Sequence, residues 1–142
     1  MRKTLLVCLL GLVLISGVGC ANAATGRAFN AVSPEANQAV IYVYRPNPTY
    51  VGSAVVLNIT VDNEKIGGLK NGGYLFKVVP PGKHAVACKT ETTAEVPVEA
   101  AAGKSYYIEA AVEMGLFVGR PKLTMVPEET GKLAILSTKL SE

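Results

Sequence analysis

The chain has 142 residues, with 14 basic and 11 acidic side chains, 49% hydrophobic residues, three cysteines, one histidine and no tryptophan. That length suits a single domain with a core of its own. A formal net charge of +3 without any lysine or arginine run argues against nucleic acid and anionic head groups as partners, and one histidine with three scattered cysteines implies neither a metal nor a cofactor.

Residues 1–19 carry the three zones of a secretory signal: basic Arg2 and Lys3, an apolar run from Leu5 to Ile15, and small residues after it. The run is too short to cross a bilayer as a helix, which takes about 20 residues. Two cuts compete. Ser16-Gly17-Val18-Gly19-Cys20 resembles the lipobox of bacterial lipoproteins, although Gly17 stands where leucine is usual. That resemblance implies acylation of Cys20 and, with Ala21 next, an outer-membrane protein facing the periplasm. Ala21-Asn22-Ala23 is instead a small-x-small site, whose use would remove residues 1–23 and free a soluble periplasmic protein. A cut before Cys20 takes two of the 14 basic residues and none of the acidic ones, which leaves a mature charge of 12 against 11. Cys8 leaves with the signal and Cys20 is acylated or lost, so Cys88 has no disulfide partner within the chain.

Residues 20–38 are small and polar without a sustained period, and predict a flexible tether ahead of a domain at 39–142. "AVIYVY" (Ala39 to Tyr44) reads as a strand stopped by Arg45-Pro46. "AVVLNITVD" alternates, with Val55, Leu57, Ile59 and Val61 inward. Asn63 and Glu64 turn the chain into a short strand at 66–69. Asn71-Gly72 predicts a tight hairpin before Tyr74, Phe76 and Val78 point inward, and Pro81-Gly82 a type II turn. Next come 84–89, with Val86 and Cys88 inward, then 94–100, where Pro97 marks an edge strand between outward Glu95 and Glu99. "SYYIEAAVEM" is expected to bury Tyr106, Ile108, Ala110, Val112 and Met114 and to show Tyr107, Glu109 and Glu113; "KLTMV" (122–126) closes the series. After Pro127 a short C-terminal helix is expected, with Leu133, Leu136 and Leu140 on one stripe. Seven to eight short strands with frequent turns imply an all-β fold, a single antiparallel β-sandwich of Ig-like type.

The series "YVYRP" (42–46), "VDNEKIGGLKNGGY" (61–74), "VPPGKHAV" (79–86), "AAGKSYYI" (101–108) and "GLFVGRP" (115–121) resembles an uncharacterised family of small bacterial envelope proteins, many of them lipoproteins. Its middle part is similar to PEGA-type sandwich modules, with Asn63 in place of the usual turn glycine. These motifs are turns and strand faces, so the resemblance implies fold and compartment and no catalytic residue.

The residues themselves offer little chemistry. His84 and Cys88 share a strand face about 13 Å apart, too far for a nucleophile and its base. His84 reads as a rim histidine, Cys88 as a small core residue, and Asp62 with Glu64 as turn residues rather than calcium ligands. "VEAAAGKS" ends like a phosphate-binding loop but has Val98 in place of its first glycine and joins two strands. Two functions follow as expectations: a non-catalytic module that binds an envelope protein or cell-wall polymer, or a small hydrolase using Glu109 or Glu113 with Tyr107, all on one outer face. For the first, the candidate surface is "MGLFVGRP", with Leu116, Phe117, Val118 and Arg120, either capping the sandwich or displayed beside Tyr50 of "PNPTYVGS" if both loops share an end.

Overall fold

The computed structural model describes residues 22–46, 52–115 and 119–142. The signal at 1–19, Cys20, Tyr50, Leu116, Phe117 and Val118 lie outside the described residues. In chain order the elements are β1 (Ala39–Tyr44), β2 (Leu57–Val61), β3 (Glu64–Leu69), β4 (Gly73–Val79), β5 (Gly82–Lys89), β6 (Thr93–Ala100), β7 (Ser105–Glu113), β8 (Arg120–Val126), α1 (Glu128–Ile135) and β9 (Lys139–Leu140). The strands form two sheets, β8-β7-β1-β4-β9 and β3-β2-β5-β6. The all-β sandwich implied by the strand pattern is present, with one difference: the larger sheet is mixed, because β1 runs parallel to β7 and β4 parallel to β9.

Every residue of β1 is buried, as a strand covered on both faces requires. Ile41 and Val43 enter the core between the sheets with Leu57, Ile59, Val61, Val86, Cys88, Ile108 and Ala110. Val40, Tyr42 and Tyr44 face the other way, into a second apolar layer with Tyr74, Tyr107 and Ile135. That outer layer overturns several expectations at once. In β4 it is Leu75 and Val79 that reach the inner core, while Tyr74 and Val78 join the outer layer; both faces of the strand are apolar, so alternation could not choose between them. In β7 the inner face is Tyr106, Ile108, Ala110 and Val112 as expected. Tyr107, however, is only 3% exposed, and Met114 is 82% exposed beyond the end of the strand.

Two segments cover much of this outer face, although Phe76, expected inward, stays 37% exposed on it. The first is α1, which buries Gly131 and Ile135 and leaves Leu133 and Leu136, the expected apolar stripe, 74% and 63% exposed. The second is the stretch expected to be a tether. From Asn22 onward it lies along the sheet: Gly26 N–H donates to Leu140 C=O at 3.2 Å, Leu140 N–H to Arg27 C=O at 2.8 Å, and Phe29 N–H to Thr138 C=O at 3.2 Å. Phe29 then meets Tyr42 and Tyr74 edge-on at 5.4 and 5.2 Å. A free coil could not keep those contacts, so residues 22–38 belong to the fold.

The turns differ in detail. Asp62 and Asn63, at φ 52 and 67, make the two-residue connection between β2 and β3, the backbone a type I′ hairpin needs; Glu64 already pairs with Val61. Asn71-Gly72 and Pro81-Gly82 are not hairpins within one sheet, because β3 and β5 lie in one sheet and β4 in the other. β6 is the edge strand Pro97 implied, with Glu95, Pro97 and Glu99 exposed. Arg120 begins β8 rather than lying in the preceding loop.

Candidate functional site

Two ends of the sandwich gather the polar and irregular residues, and they differ in chemistry. At one end β1 delivers Arg45, which is wholly buried. Its Nη1 donates to Val55 C=O at 2.7 Å and its Nη2 to Gly52 C=O at 2.6 Å, while its backbone N–H donates to Gly73 C=O at 2.8 Å. Burial lowers the guanidinium pKa, yet arginine stays charged in a protein. The cation is thus a clamp on the chain returning from the 47–51 loop.

Gly52, at φ 68, and Gly119 both lie where a Cβ would collide with Val112. The two loops singled out in the sequence are therefore flanked at the same end, by glycines that both pack on Val112. Asn22 is there too: its Nδ2 donates to Ala54 C=O at 2.8 Å, and Ala24 N–H donates to Asn71 C=O at 3.0 Å. Beyond Tyr44, whose partner is Glu109, β7 continues through Glu113 paired with β8 and no longer with β1. The β7–β8 pair thus extends past the end of β1, with Met114 and Arg120 exposed on either side of the connection between the two strands.

The opposite end holds the contact that sequence reasoning missed. Asp62 Oδ1 accepts from Ala85 N–H at 2.9 Å, and Oδ2 meets His84 Nδ1 at 2.6 Å; His84 Nε2 lies 2.7 Å from Pro80 C=O. Both ring nitrogens face acceptors, so the doubly protonated imidazolium satisfies both bonds. The hydrogen bond that His84 donates to Asp62 raises the histidine pKa, and the same bond, with that from Ala85 N–H, lowers that of the aspartate. With its side chain 8% exposed and neither nitrogen free, His84 ties the β2–β3 turn to the crossover at Pro80. The sequence signal for this was Asp62 itself, an aspartate in the turn position one residue past the last apolar residue of the alternation, Val61.

Each hydrolase candidate is engaged by a neighbour of its own. Tyr107 is covered by α1, Glu109 accepts from the Tyr44 hydroxyl at 3.4 Å, and Glu113 accepts from Lys122 Nζ at 2.7 Å. Glu64 is bonded to Lys77. Cys88 is buried and its thiol is pushed up to about 11 by desolvation. Among the described residues no three His, Cys, Asp or Glu side chains cluster closely enough to hold a metal ion. Two shallow recesses mark the outer face: about 290 Å³ beside Arg27, Asn30, Tyr74 and Phe76, and about 330 Å³ beside Lys104, Tyr106, Tyr107 and Glu128.

Against known families, residues 35–120 match a model described as a protein of unknown function, DUF2846. The chain belongs to the DUF2846 family. The DUF2846 match runs from just before β1 to the first residue of β8, and so takes in both ends of the sandwich but neither α1 nor β9. A relative from Haemophilus influenzae, described as an uncharacterized protein, is 30% identical over 104 residues, covering 72% of this chain and 61% of that protein. The alignment thus spans less than two thirds of the relative's length.

Proposed function

We propose that this DUF2846 protein is a non-catalytic module of the bacterial cell envelope, anchored in the outer membrane through acylated Cys20, that presents its sandwich to an envelope protein or a cell-wall polymer. The observation that carries the reading is the ending of the apolar signal run on a small-residue stretch and Cys20. The structure adds support of a different kind. Ala23 pairs with Asn71 and Ala24 N–H bonds its C=O, so the chain just after the proposed anchor is held against the domain, which suits a short attachment to the membrane. The non-catalytic part is supported by the engagement of Glu109 by Tyr44, of Glu113 by Lys122 and of both His84 nitrogens by acceptors. Fractionation tests the reading: the natural protein should enter the detergent phase with the membranes, and Cys20→Ala should appear in the soluble periplasm. An unchanged distribution on mutation would overturn it.

A further inference from the structure

We propose that the end of the sandwich carrying Asn22, Ala54, Met114 and Arg120 rests against the lipid surface, so that the domain stands upright on the membrane with the Asp62–His84 end directed away from it. The inference rests on the acylation of Cys20 proposed above and goes beyond it to an orientation.

Chain length sets the constraint. Cys20 precedes Asn22 by two residues, and two residues of fully extended chain span at most about 7 Å. Asn22 is held to Ala54, and the next residues to Asn71, by backbone and side-chain bonds. Had residues 20–38 been a tether, the domain could tumble above its anchor. With the stretch from Asn22 docked, acyl chains on Cys20 would fix the head-group plane within a few ångströms of one end of the fold.

The surface at that end suits the contact. The β7–β8 hairpin projects beyond β1, and Met114, a large apolar side chain, is 82% exposed just past the end of β7. Arg120 opens β8 on the other side of the hairpin; its aliphatic stem can lie along the apolar zone while its guanidinium reaches phosphate. The alternative occupant, a protein groove, would have to share this end with the acyl chains. The far end is free of that competition. β7 spans nine residues, whose eight steps of about 3.3 Å put Ser105, next to the Ala102 turn, some 26 Å from Glu113, next to Met114.

The test uses the full acylated protein reconstituted into phosphatidylethanolamine–phosphatidylglycerol vesicles that contain a lipid nitroxide-labelled near the head group. An environment-sensitive fluorophore is attached at Met114→Cys, at Arg120→Cys or at Ala102→Cys; buried Cys88 does not compete for the label. The expected result is quenching several-fold greater at positions 114 and 120 than at 102. Equal quenching at the two ends, or more at 102, in protein whose mass shows acylated Cys20 would overturn the orientation and leave the anchor standing. A mature N-terminus at Ala24 without acyl groups would overturn both.

Discussion

Gly131 shows how one residue ties the C-terminal helix to the sheet. In isolation a glycine within a helix costs about 1 kcal/mol relative to alanine. Here it lies directly over Tyr107, and a methyl at that position would collide with Cβ and Cγ of the tyrosine. Those atoms are fixed by β7 and by stacking on Tyr42 at 5.2 Å, so they cannot yield cheaply. Overpacking of this kind costs about 1 to 3 kcal/mol, which outweighs the propensity gain. Gly131→Ala should therefore lower Tm by a few degrees in a thermal melt, and a raised Tm would show that the helix lifts off freely. The Asp62–His84 pair gives a second prediction, in pH. His84 has its pKa raised above 6.5, so its contribution is complete below that value and is lost as pH rises through the raised one; Asp62 is lowered below 3.8, so its contribution is complete above that value and is lost on acidification. Both are charged between those limits. Asp62→Asn should shift the urea midpoint more at about pH 5 than at about pH 9, and an equal shift at both would mean that the imidazole is neutral in the fold.

At the level of elements, much of the sandwich was legible because its signals are local. The alternation of Leu57, Ile59 and Val61, the edge position of Pro97, and the burial of Val86 and Cys88 all follow from period-two patterning and from proline's missing donor. The faces of β4 and the burial of Tyr107 were not legible, since they depend on what covers the outer sheet, and the cover comes from distant parts of the chain. A polar, small-residue segment such as 22–38 carries no periodic signal; it is held by single contacts, above all by Phe29 on Tyr42 and Tyr74. The two edge-to-face contacts contribute about 0.5 to 1.5 kcal/mol each beyond apolar burial. Phe29→Ala should accordingly destabilise the protein by about 2 kcal/mol and expose residues 22–38 to limited proteolysis. Unchanged stability and unchanged cleavage would restore the tether. The candidate loops were recognised as irregular from their composition, and their common end follows from Gly52 and Gly119 meeting at Val112, a pairing no local pattern encodes.

At the scale of the whole molecule, the two-sheet domain is closed on its outer face by segments that flank the DUF2846 match, with residues 22–34 and α1–β9 locked together through Leu140 and Thr138. This closure brings Asn22 and the chain's last residues to the same end: Ser141 Oγ accepts from Lys70 N–H at 3.1 Å. The functional account turns on how that end is finished in the mature protein. Mass spectrometry of the purified protein's N-terminal peptide decides it. The expected species begins at Cys20 and carries the added mass of a diacylglyceryl group and a fatty acyl chain; a peptide that begins at Ala24 with no added mass would contradict the anchored envelope module.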